Sequence, residues 1–182
     1  MDIILYEDSA VSALHPITLT RPASEIRTGG YTLVEAVKYV FPNARLVSLG
    51  QSNEKAKGTL FLNARFAPSL AVLQTVAGIL GRSTEDCAFL AEGNVCGMFT
   101  AKQYSELPDA SAFSIQHDTQ AKLFAHPEDI IFFNKDTLKE NLEIAAKKLR
   151  AKRKGLYVDR SVLLPEQFAY NTQHDPSSSE RT

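Results

Sequence analysis

Between Leu14 and Gly30 the chain carries Thr20, Arg21, Pro22, Glu25, Arg27, Gly29 and Gly30 within a short irregular stretch. Arginine offers a permanently charged, fork-shaped set of donors that matches phosphate oxygens. Glycine lets backbone N–H groups approach an anion closely and turn around it. Arg21 and Arg27, with the backbone around Thr20, Gly29 and Gly30, therefore make a candidate anion site. The spacing also fits a plainer arrangement, in which Arg21 and Glu25 form a surface ion pair and Gly29-Gly30 only turns the chain.

The elements around this stretch must place it. Ile3 to Tyr6 is a continuous apolar run suited to a strand buried on both faces. Thr32, with Glu35 three positions on, can start a helix that stops before Pro42. The stretch from Glu7 to Gly30 thus links a first strand to a first helix, beside the strand carboxyl ends where open α/β sheets bind ligands. Strands are expected at Arg45–Leu49, Thr59–Asn63, Cys87–Leu90, Val95–Thr100, Ile130–Phe133 and Leu156–Val158. A helix through Leu70, Leu73 and Val76 should end at Gly81. From Lys102 to Ala125 the pattern supports only a short helix or loop. Asn134 or Asp136 can cap a last helix whose apolar face is Leu138, Leu142, Ala145 and Leu149. The fold expected is a three-layer, Rossmann-like α/β domain over residues 1–158 with a mixed, mostly parallel sheet, followed by a polar tail at 159–182.

Composition narrows the function. The 182 residues hold 20 basic and 21 acidic side chains, a net charge of −1, so no global field draws the chain to nucleic acid or anionic lipid. Any phosphate ligand needs a local site. No apolar stretch reaches the roughly 18 residues of a membrane span, the N-terminus lacks a basic signal region, and the cytoplasm is the expected location. Cys87 and Cys96 flank a turn-like Glu92-Gly93-Asn94 and are expected as reduced, buried thiols. His117-Asp118 and His126 to Asp129 are not brought together by spacing as metal ligands, and no nucleophile signature is present.

The string Leu19-Thr20-Arg21-Pro22, Glu25-Ile26-Arg27, Gly29 and Thr32 to Glu35 resembles the opening of the sugar nucleotidyltransferases, relatives of the bifunctional N-acetylglucosamine-1-phosphate uridylyltransferase and glucosamine-1-phosphate acetyltransferase. Leu60 to Arg65, Asp129 to Asn134 and the following helix continue the resemblance in the same order. It implies transfer of a nucleotidyl group from a nucleoside triphosphate to a sugar 1-phosphate, with release of pyrophosphate and with Mg²⁺ as cofactor. By the same resemblance Arg21 and Arg27 lie near the triphosphate as catalytic cations with Glu25 to orient them, Thr20, Gly29 and Gly30 are the candidate nucleotide-binding positions, and Asn134 helps hold Mg²⁺. The chain departs from the family pattern at three places. Glu7-Asp8-Ser9-Ala10 replaces a glycine-rich signature, Ala23 replaces a lysine, and Arg65 replaces an aspartate metal ligand, although arginine cannot ligate Mg²⁺. The alternative is a domain that keeps the fold and binds a nucleotide, a nucleotide sugar or a partner without turnover. Relatives commonly continue into a left-handed β-helix, and the chain stops before any such repeat, so acetyltransferase activity and trimer contacts are not expected. A monomer or weak dimer is.

Overall fold

A computed structural model of the chain describes residues 1–50, 58–83, 85–102 and 106–153. The expected strand at Leu156–Val158 and the tail at 159–182 lie outside the described residues. Met1–Ala146 forms one compact unit. Of the second unit, beginning at Lys147, the structure describes only helical backbone as far as Arg153.

Six strands form one sheet: β1 (Asp2–Tyr6), β2 (Arg45–Leu46), β3 (Thr59–Asn63), β4 (Cys87–Ala91), β5 (Asn94–Thr100) and β6 (Ile115–Thr119), in spatial order β2-β1-β3-β5-β4-β6. β1 pairs parallel with β2 and β3, β4 pairs parallel with β6, and β5 runs antiparallel to both β3 and β4. The sheet is mixed and mostly parallel, and β1, β3, β4 and β6 all end at the same edge. Strand period two sorts the core onto two faces. Ile3, Leu60, Leu62 and Phe89 lie under the helices α1 (Leu33–Val40) and α2 (Leu70–Leu80). Ile4, Phe61, Ala88 and Met98 face the other way and are closed by Phe113, beside the 3-10 turn Ala110–Ala112.

α1 starts as its sequence dictates, because the Thr32 side chain accepts from Glu35 N–H while the Glu35 carboxylate accepts from Thr32 N–H. α2 is capped by Ser69 and stops at Gly81. Both cysteines are free and buried, and the hairpin register sets Cys87 opposite Phe99 rather than Cys96. Burial pushes the Cys96 thiol up to about 11. No helix among the described residues is long and apolar enough to cross a membrane.

Three expectations need correction. β2 is shorter than Arg45–Leu49. Ile115–Thr119, inside the stretch read as loop or short helix, is the edge strand β6, whose alternating half-buried and exposed residues give a weak signal. Ile130–Phe133 is not a strand but the first turn of helix α3 (Asp129–Arg153), so neither Asn134 nor Asp136 caps that helix. The Asp129 carboxylate instead accepts from Ala125 N–H at 2.7 Å and His126 N–H at 2.8 Å at the helix entry. The inward face of α3 in this unit runs through Ile130, Phe133, Thr137 and Asn141, the exposed Asn134 reaches the loop by a hydrogen bond, and Leu142, expected in the core, is 58% exposed.

Candidate functional site

The chain between β1 and α1 is ordered by its own small core. Three 3-10 turns, Ser9–Leu14, Ile17–Leu19 and Ala23–Glu25, bury Leu14, Ala23 and Ile26 against Ala64, Ala67 and Phe124. Glu7, the first residue after β1, accepts Ala23 N–H at 2.8 Å and pins the arginine-proline turn to the sheet edge. Thr28 Oγ1 donates to Ile130 O at 2.9 Å, and Gly29 N–H donates to Asn134 Oδ1 at 2.9 Å. Asn141, fully buried, donates to Gly29 O at 2.9 Å and Pro68 O at 2.8 Å, and accepts Leu70 N–H at 2.8 Å. One amide thereby ties the loop to α3 and to the start of α2.

This geometry decides what each expected site residue touches. Arg27 donates to Gly30 O at 2.9 Å and to Glu35 Oε1 at 2.6 Å, so its charge is spent on the α1 capping box. Hydrogen bonds from Thr32 N–H and then from Arg27 hold the Glu35 carboxyl below its usual range. Thr20, Arg21 and Glu25 are exposed, and Arg21 and Glu25 form no ion pair with each other. Gly29 has φ +59 and lies so close to α3 that a Cβ would fall 2.4 Å from Thr137 Cγ2. Its conformational freedom serves packing at that point. Gly30, at φ +83, has open space apart from Leu138.

A different cluster forms at the carboxyl ends of β1 and β3. Arg65 Nε donates to Asp8 Oδ1 at 2.8 Å and Nη2 to Asp8 Oδ2 at 2.6 Å, while Nη1 donates to Phe124 O at 2.6 Å. Asn63 adds an Nδ2–H to Asp8 Oδ2 at 2.7 Å and receives Arg65 N–H on its own Oδ1 at 2.9 Å. β1 and β3 are parallel and in register from Asp2↔Thr59 to Tyr6↔Asn63, so an acid just past one strand and a base just past the other meet. The sequence comparison set Asp8 in a segment that replaces a glycine-rich signature and took Arg65 as a lost ligand. Their opposite charges at equivalent distances beyond neighbouring strands were the signal for a pair.

The Arg65 hydrogen bonds, against the opposing effect of burial, hold the Asp8 carboxyl below its ordinary value, and burial followed by the Asp8 charge pushes Tyr6 up to about 12. A carboxyl depressed on folding contributes stability that is present above the unfolded value of 3.8 and lost as pH falls through the lower folded value. Acid unfolding followed by circular dichroism is expected to show a loss of stability below that pH that is smaller in Asp8→Asn.

Arg65 also lines a cleft of about 560 Å³ at the strand carboxyl edge, with Glu92 and Asn94 from the β4–β5 turn, Lys122 and Leu123 after β6, and Phe133 of α3. None of Thr20, Arg21, Glu25, Arg27, Gly29, Gly30 or Asn134 lines it. Lys122 is positioned by the Phe66↔Leu123 bridge and by Ala67 N–H, which donates to Lys122 O at 2.8 Å. Its ammonium sits 5.0 Å from the Phe133 ring centroid. A guanidinium has five N–H donors, so the three spent on Asp8 and Phe124 leave two for a ligand. The cleft can bind an anion that presents several oxygens.

The same donors do not fit Mg²⁺, which takes oxygen ligands in a near-octahedral set. Both Asp8 oxygens accept from Arg65, whose cation would repel a second one, and Asn134 Oδ1 accepts from Gly29. Among the described residues no group of three or more His, Cys, Asp or Glu side chains could hold a metal ion.

No curated protein matches the chain. A family model described as sugar nucleotidyl transferase matches residues 3–150, which covers the sheet, the loop clamp and the cleft. The chain belongs to the sugar nucleotidyl transferase family.

Proposed function

We propose that Met1–Ala146 binds a nucleotide or nucleotide sugar in the cleft at the strand carboxyl edge, with its phosphate against Arg65 and Lys122, and does so without Mg²⁺-dependent transfer. The observation that carries this reading is the buried Arg65 guanidinium, only 10% exposed in its side chain, held bidentate by Asp8 at the cleft wall. Fixed donors of this kind bind a phosphate without reorganising, because the pair is already oriented before the ligand arrives. Asp8 balances the Arg65 charge, so the uncompensated positive charge comes from Lys122. Arg65 supplies direction and Lys122 supplies attraction.

A second reading is favoured by the family match: nucleotidyl transfer from a nucleoside triphosphate to a sugar 1-phosphate, using Arg21, Arg27 and Glu25, with Thr20, Gly29 and Gly30 around the nucleotide and Mg²⁺ at Asn134. It requires Arg27 to leave Glu35 and Asn134 to leave Gly29. Calorimetric titration with UTP and UDP-glucose, in EDTA and then in Mg²⁺, separates the two. Saturable binding that EDTA leaves unchanged, with no pyrophosphate released across a panel of triphosphates and sugar 1-phosphates, is the expected result. Mg²⁺-dependent pyrophosphate release would establish the transferase reading instead.

A further inference from the structure

We propose that Glu92 is a specificity-determining residue of the cleft, which selects phosphate ligands that carry sugar hydroxyls over bare phosphates; this rests on the anion-binding reading above. β4 and β5 are joined by a two-residue turn, with Ala91 opposite Asn94 and both central residues at positive φ, Glu92 at 50° and Gly93 at 80°. That is the type I′ geometry, whose first central position strongly favours Asn, Asp or Gly. Glu92 is the one non-glycine residue at positive φ among the described residues. A glutamate side chain is too long to offset the left-handed backbone by bonding locally, so the turn pays in stability for carrying it.

The carboxylate has no local use that explains this cost. Glu92 makes no side-chain hydrogen bond or ion pair among the described residues, although its backbone oxygen receives a long 3.5 Å contact from Asn94 Nδ2. Both residues line the cleft that Arg65 and Lys122 also line. The wall therefore carries unspent acceptors on Glu92 and Asn94 as well as unspent donors on Arg65 and Lys122, with Leu123 and Phe133 supplying apolar surface. A carboxylate accepts from hydroxyls and repels phosphate oxygens. A ligand with a phosphate at one end and hydroxyls at the other uses both sets, whereas inorganic phosphate gains from the cations and is opposed by Glu92. The cleft volume of about 560 Å³ is ample for a hexose phosphate.

Glucose 1-phosphate and inorganic phosphate are titrated calorimetrically into the full chain and into its Glu92→Gln and Glu92→Asn variants. The wild type is expected to bind glucose 1-phosphate the more tightly. Glu92→Gln, which keeps side-chain length, should weaken glucose 1-phosphate by about tenfold and strengthen inorganic phosphate by about twofold or more, because the opposing charge is removed. Glu92→Asn should show the same loss while raising the melting temperature by about 2–4 °C, because asparagine suits the turn. Equal wild-type affinities, or an unchanged ratio in Glu92→Gln, would overturn the selectivity proposal and leave the anion site standing. If neither ligand binds the wild type, both readings fall.

Discussion

Arg65→Ala is expected to lose UDP-glucose binding and to destabilise Met1–Ala146 by about 3 kcal/mol in urea unfolding, near the lower end for breaking a buried ion pair. The side chains are 10% exposed for Arg65 and 31% for Asp8, so the stranded carboxylate keeps some hydration, which sets the lower figure. The loss also strands Phe124 O, since the guanidinium is the group that clips that carbonyl to the end of β3. Arg65→Lys keeps a cation but cannot reproduce two parallel bonds to Asp8 and a third to Phe124, so an intermediate stability with most of the affinity lost is expected. Combining Arg65→Ala with Asp8→Asn should recover part of the stability, because the buried charge is removed with its partner, and should not recover binding. A full-strength UDP-glucose titration in Arg65→Ala would contradict the assignment of the cleft.

The second large effect is at Gly29. Gly29→Ala is expected to cost about 3 kcal/mol or more, combining a left-handed backbone with overpacking. The added Cβ would fall 2.4 Å from Thr137 Cγ2 and 2.9 Å from Asn141 Nδ2, and helix backbone cannot shift to relieve it without moving Asn141. Moving Asn141 disturbs its bonds to Pro68 O and Leu70 N–H, so the start of α2 should loosen with the loop. Gly30→Ala is the control: at φ +83 its nearest neighbour would be Leu138 Cδ1 at 3.4 Å, so only the backbone cost of about 1–2 kcal/mol remains. Thermal unfolding of the two variants should rank them in that order. Equal losses would mean that contact with α3 contributes nothing at Gly29.

These residues show how far the sequence reached. The α1 capping box was legible because Thr32 and Glu35 act locally, and the hairpin was legible because Gly93 marks its turn. Helix α3 was only half legible. Hydrophobic periodicity selects Leu138, Leu142, Ala145 and Leu149, yet the buried residues of the helix are Thr137 and Asn141, with the exposed Asn134 bonded to the loop beside them. Asn134 and Asn141 bond to a loop more than 100 residues away in sequence and Thr137 packs against its Gly29, contacts for which no local pattern exists. The Ile130–Phe133 run misled for a related reason, since Ile130 and Phe133 pack inward while Ile131 and Phe132 are 76% and 70% exposed.

The arginines of the loop were the most visible chemistry in the sequence, and the structure gives Arg27 to Glu35 and leaves Arg21 at the surface. The residue read as a departure, Arg65, is the one that the fold buries and aligns. A single sequence displays charge and spacing, but the partner of each charge depends on parallel strand register, which appears only when β1 and β3 are laid side by side.

Amide chemical-shift mapping with UDP-glucose in EDTA tests the central claim most directly. The cleft reading predicts saturable shifts at Arg65, Glu92, Asn94 and Lys122, with the segment from Thr20 to Gly30 little changed. Shifts confined to Thr20–Gly30, or appearing only when Mg²⁺ is added, would contradict it.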